Sequence, residues 1–164
     1  MDRKNESSRK EIFNKLYERQ IRFLEQKCFA PLVLYPEGTT TCGRNILKFK
    51  KGAFYHLLPI KPEIINIYQD SKCHLASGCQ SLLFNTLKYL CFLSENMYYI
   101  DMPVIKPTEF MFEKYSYLGK EKWEIYAEVV RKIYSEIGGL EECEQGYRDS
   151  HLYGESMIKG EFLI

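Results

Sequence analysis

Two rhythms of apolar positions alternate along this chain. Between Ser8 and about Gln26, Ile12, Phe13, Leu16, Tyr17, Phe23 and Leu24 recur at helical spacing among charged residues. That pattern predicts an amphipathic helix with one apolar stripe, and Ser8-x-x-Glu11 has the capping-box form that opens one. Leu32-Val33-Leu34-Tyr35, flanked by Pro31 and Pro36, is a short apolar run that suits a buried strand. Residues 46–58 read as a short helix, and Ile64–Tyr68 as a second strand behind Pro59 and Pro62. Gln80–Leu93 carries Leu83, Leu87, Tyr89, Leu90 and Phe92 and predicts an apolar helix. Met97–Met102 is a third strand, closed by Pro103 and Pro107. Lys122–Ile137 sets Ile125, Val129, Ile133 and Ile137 on one side of a helix that Gly138-Gly139 ends. The tail from Glu141 is polar, with Asp149–Tyr153 and Ile158 as candidates to dock back. Helices interleaved with strands predict an α/β fold, a mixed sheet flanked by helices.

Composition narrows the class without naming a function. The 164 residues are 45% hydrophobic and 15% aromatic, enough to bury a core in a single domain. A net charge of +1 supplies no general attraction for nucleic acid. The six cysteines, Cys28, Cys42, Cys73, Cys79, Cys91 and Cys143, show no zinc-site spacing with each other or with histidine. They read as reduced thiols in a cytosol-facing domain, and no metal site is expected. The opening MDRKNESSRK is polar and unlike a signal peptide. No apolar run reaches the roughly eighteen residues that a bilayer span needs.

The chemistry gathers in residues 31–54, PLVLYPEGTTTCGRNILKFKKGAF. Pro36 fixes one φ angle and Gly38 admits values that other residues resist. Glu37 and Thr39 thus stand on a defined turn at the end of a predicted strand, where open α/β sheets usually hold ligands. Lys48, Lys50 and Lys51 follow. A carboxylate, hydroxyls, turn N–H groups and lysines within one segment suit an anionic, phosphorylated ligand.

The wording of this stretch resembles the third signature block of the glycerolipid (1-acylglycerol-3-phosphate type) acyltransferases. Within that family it is most similar to the lysophosphatidylcholine and lysophosphatidylethanolamine enzymes. Their block runs aromatic-Pro-Glu-Gly-Thr, a small polar run with Gly, then Phe-Lys-x-Gly-Ala-Phe; here that tail is Phe49-Lys50-Lys51-Gly52-Ala53-Phe54. Asp2-Arg3 and Ser8-Arg9 resemble the second block, and Pro103-x-x-x-Pro107 and Ile125-Tyr126-Ala127-x-x-Val130-Arg131 resemble later segments. One departure is Glu63, which stands where the fourth block has a small apolar residue. The resemblance implies an incomplete acyltransferase-type domain over residues 1–140, with 141–164 as a polar extension. It also implies acyl transfer from acyl-CoA, a co-substrate and not a bound cofactor, to a lysophospholipid at a membrane surface. Arg3 and Arg9 would contact phosphate; Glu37, Gly38 and Thr39 would shape the glycerol-phosphate site; Lys50 would assist. The helix at Gln80–Leu93 reads as a core helix from its pattern, while a comparable helix of the family sits near the bilayer.

Acyl transfer to an alcohol needs a base, and a neutral His oriented by a carboxylate suits that task. The family supplies both in a His-x-x-x-x-Asp motif. The positions five beyond His56, His74 and His151 hold Lys61, Cys79 and Ser156, so no catalytic residue is expected in this chain. Two readings stay open. In one, the chain is the C-terminal part of a lysophospholipid acyltransferase whose upstream residues carry the base and the anchor, on the cytosolic face of an internal membrane such as the endoplasmic reticulum. In the other, it is a non-catalytic lipid-binding or interaction subunit with a protein partner. A phosphate-loop nucleotide hydrolase is excluded, because Gly-x-x-x-x-Gly-Lys-Ser/Thr is absent.

Overall fold

The computed structural model describes residues 6–27, 30–39, 43–68, 82–91 and 96–159. Helix α1 spans Glu6–Leu24, starting slightly ahead of the predicted cap. It stops at Gln26, whose φ of 59° leaves the helical region, and the Lys27 N–H reaches back to the Arg22 carbonyl at 2.8 Å. Its Phe13 and Tyr17 pack on Tyr55 and His56, with ring centroids 5.0 and 4.8 Å apart.

Strand β1 (Asn45–Ile46) pairs in parallel with β4 (Glu141–Glu142). Strand β2 (Glu63–Tyr68) pairs antiparallel with β3 (Asn96–Asp101), from Glu63 opposite Asp101 to Tyr68 opposite Asn96. An Ile60–Ile105 bridge prolongs that second ladder. Among the described residues parallel and antiparallel pairings therefore both occur, but in two separate two-stranded sheets and not in the one mixed sheet expected. Helix α2 is Leu82–Cys91, α3 is Glu109–Lys114, α4 is Lys122–Gly138 and α5 is Tyr147–Lys159. None of the described helices is long and apolar enough to cross a membrane.

Two predicted elements differ. Leu32–Tyr35 forms no strand, and Val33 and Tyr35 are 67% and 76% exposed. A strand exists only through a ladder partner, and among the described residues none runs beside this segment. The helix expected over residues 46–58 is instead a strand residue pair, an extended run and a single 3-10 turn at Lys51–Ala53. Leu47 and Phe49 are buried while Lys48 and Lys50 are exposed. That alternation has period two, the mark of extended chain.

The core lies between this run, α3 and α4. Ile46, Phe49, Phe54, Met111, Phe112, Ile125, Tyr126, Ala127 and Val130 form it. Phe49 stacks on Phe54 at 5.8 Å, and Phe54 meets Tyr126 edge-on at 5.4 Å. The buried Tyr126 hydroxyl lies 2.9 Å from the Ile105 carbonyl oxygen, which answers the need of a buried O–H for an acceptor. Each aromatic side chain removed from water stabilises the fold by about 1.5–3 kcal/mol. Helix α4 opens with the Glu124 carboxylate accepting the Lys120 and Glu121 N–H groups. It closes at Gly139, which takes a φ of 62° that favours glycine. The Phe-Lys-Lys-Gly-Ala-Phe tail is thus anchored at both ends by core phenylalanines, which fixes where its lysines stand.

Candidate functional site

The turn at Pro36-Glu37-Gly38 is tied at three points. The Gly38 N–H donates to the Tyr35 carbonyl at 3.1 Å, and the Lys50 N–H to the Pro36 carbonyl at 2.8 Å. The Leu47 N–H donates to the Glu37 carboxylate, Oε2, at 3.1 Å. Glu37 is half-buried, and burial raises its pKa above the ordinary carboxylate value, the Leu47 bond opposing the shift. The structure therefore gives Glu37 a backbone-clamping role: it holds the turn against the Leu47–Lys50 run.

Gly38 has a φ of 70°. A Cβ there would stand 2.4–2.8 Å from Nζ, Cε and Cδ of Lys50. The Lys50 side chain thus lies directly across the glycine, and its Nζ rests 3.4 Å from the ring centroid of Tyr147, the first residue of α5. Lys48 pairs with Glu144 at 2.6 Å and Lys51 with Glu121 at 3.5 Å. Thr39 is half-buried at the end of the turn.

A strap formed by residues 141–147 holds Tyr147 in place. Beyond the β1–β4 pairing, the Cys143 N–H donates to the Ile46 carbonyl and the Lys48 N–H to the Gln145 carbonyl, both at 3.0 Å. Arg131 on α4 fixes the strap from beneath. It is 3% exposed; its Nη1 donates to the Cys143 carbonyl at 2.9 Å, its Nε to Glu128 at 2.9 Å, and its Nη2 lies 3.5 Å from Glu142.

Of the residues singled out in the sequence, Glu37, Gly38, Thr39 and Lys50 come together here. Arg3 and His74 lie outside the described residues. Arg9 lies in α1, with its side chain outside them. His56 Nε2 is 3.0 Å from the Phe13 carbonyl, between two aromatic rings. His151 lies on the exposed surface, 3.5 Å from Glu155. Sequence reading did not single out Tyr147 or the strap. Arg131 carried a visible signal: it falls on the same side of α4 as Ala127, four residues earlier, a place where a charged residue must find buried partners.

Comparison with known proteins agrees with the signature. Residues 1–69 match the Acyltransferase family model. The chain is 33% identical over 126 residues to Lysophospholipid acyltransferase LPEAT1 of Arabidopsis thaliana, covering 74% of this chain and 28% of that protein. It is 37% identical over 83 residues to Lysophospholipid acyltransferase LPEAT2 of the same plant, covering 49% of this chain and 15% of that protein. The matches therefore span less than a third of either relative. No solved structure matches. With the Pro-Glu-Gly-Thr turn and the Phe-Lys-Lys-Gly-Ala-Phe tail folded into one clamped unit, this chain belongs to the glycerolipid acyltransferase family.

Proposed function

We propose that this chain forms the acceptor-holding part of an acyl-CoA-dependent lysophospholipid O-acyltransferase working in glycerophospholipid synthesis or remodelling, on the cytosolic face of an internal membrane. The free hydroxyl of the lysophospholipid attacks the thioester carbonyl of acyl-CoA. Its proton passes to a base, the carbon–sulfur bond breaks, and coenzyme A leaves as the thiol. The base is a His-x-x-x-x-Asp pair outside these residues. Residues here hold the glycerol phosphate: Lys50 supplies positive charge at the Gly38 turn, Thr39 a hydroxyl, and Arg3 and Arg9 further charge.

One observation carries this reading. Lys50 is laid across a glycine that leaves room for it, so its charge is aimed at the signature turn and is not scattered in solvent. A fixed ammonium beside a turn is a suitable partner for a phosphate oxygen.

The test is acyl transfer by the protein that carries this chain in cells, purified in detergent and supplied with labelled acyl-CoA. Phosphate-bearing lysophospholipids should be acylated, and monoacylglycerol, which lacks the phosphate, should be a poor acceptor. Equal acylation of monoacylglycerol would remove the phosphate-holding role. Absence of transfer to every acceptor would favour the non-catalytic subunit.

A further inference from the structure

We infer that Tyr147 is a positioning residue of the phosphate site: its ring holds the Lys50 ammonium over the Gly38 turn, and the C-terminal strap is thereby part of the acceptor site. This rests on the function proposed above. Lys50 is exposed and carries a long side chain with many rotamers, so binding a phosphate from a freely moving state would cost ordering entropy. The room left at Gly38 and two contacts among the described residues limit that freedom beforehand. The missing Cβ of Gly38 admits the Lys50 chain, the Lys50 N–H is bound to the Pro36 carbonyl, and the Tyr147 face receives Nζ at 3.4 Å. An ammonium resting on a ring keeps donors directed away from that ring, and a phosphate oxygen is a stronger partner than the ring itself.

Tyr147 is in turn placed by the chain before it. The Lys48 N–H binds the Gln145 carbonyl, and Lys48 Nζ binds Glu144. The Gly146 N–H donates to Asp149 at 2.8 Å, which turns the backbone into α5 at Tyr147. Ring and ammonium are therefore presented by adjoining runs that hydrogen-bond to each other. The ring's polar hydroxyl is not what the cation meets, so Phe should replace Tyr while an aliphatic residue should not.

The experiment is an NMR titration of the 164-residue chain with sn-glycerol 3-phosphate, and with inorganic phosphate as the control. The Lys50 ε-methylene protons should be shifted upfield by the Tyr147 ring and should respond to glycerol 3-phosphate. Tyr147→Phe should keep both the ring shift and the affinity. Tyr147→Leu should lose the shift and weaken binding by about three- to tenfold, the effect of freeing one long side chain, with the β1–β4 amide signals unchanged. If Tyr147→Leu releases Lys50 yet binds the probe as well as the wild type, the inference fails while the proposed function stands. If the wild-type chain does not bind glycerol 3-phosphate, or only inorganic phosphate perturbs Lys50, both fail.

Discussion

At the scale of single residues, Glu37 is part of the scaffold of the signature turn. Its carboxylate accepts the Leu47 N–H and is pushed to a higher pKa by burial. A carboxyl with a raised folded pKa favours the fold in its protonated form. Its contribution is complete below the unfolded value and is lost as the pH rises through the folded value. Glu37→Gln keeps an acceptor for Leu47 and has no charge to desolvate. Relative to this variant, the wild type should lose stability as the pH rises above the ordinary carboxylate value of 4.5, as urea unfolding at a series of pH values will read. Other carboxylates such as Glu124 and Glu144, whose pKa values are lowered by hydrogen bonds, shape both curves equally. Glu37→Ala, which orphans the Leu47 N–H, should cost about 1–3 kcal/mol at neutral pH. Gly38→Ala should cost about 1–2 kcal/mol for its left-handed φ. It should also push Lys50 off Tyr147, abolishing the upfield lysine signals, because the new Cβ would occupy the lysine's path. Glu37 and Gly38 were legible in the sequence because a turn between Pro and Gly restricts the backbone. The role of Glu37 was not, since its partner is a backbone N–H ten residues away.

Elements divide by the same logic. Helices α1 and α4, with strong periodicity and clear ends, were readable, and so were β2 and β3 between their prolines; α2 was readable as a helix, but its exposed Leu83, Leu87 and Leu90 overturn its reading as a core helix. Helix α3 was missed because its six residues are too short for periodicity, although Thr108 caps it by accepting the Met111 N–H at 3.2 Å. Strand β4 was missed because Glu141 and Glu142 are both exposed and polar, so no hydrophobic pattern marks them. What holds β4 is its pairing with β1 and the buried Arg131. Removing that guanidinium leaves the Cys143 carbonyl and Glu128 without their buried partner. Arg131→Met should therefore lower stability by about 3–5 kcal/mol. Hydrogen exchange should quicken at Glu141 and Cys143, whose N–H groups bind the Arg44 and Ile46 carbonyls, more than within the β2–β3 ladder. Equal acceleration of both ladders would mean that Arg131 supports the whole fold and not the strap.

At the scale of the whole molecule, this member of the acyltransferase family matches only a part of its relatives' length. It covers 28% of one relative and 15% of the other. It also presents apolar side chains outward, among them Leu83 and Leu90 on α2, 72% and 77% exposed. Its three histidines each lack the Asp that the family's base requires. The isolated chain should accordingly show no acyl transfer, since general-base catalysis contributes about a hundred- to ten-thousand-fold. It should still bind glycerol 3-phosphate. The most direct measurement is the kinetic comparison of wild type and Lys50→Met in the protein that carries this chain in cells, with each substrate varied in turn. Loss of one charge-assisted contact to phosphate should raise KM for the lysophospholipid about tenfold or more, while KM for acyl-CoA stays unchanged. A rise confined to acyl-CoA, or no change in either constant, would contradict the assignment of the Gly38–Lys50 turn to the acceptor phosphate.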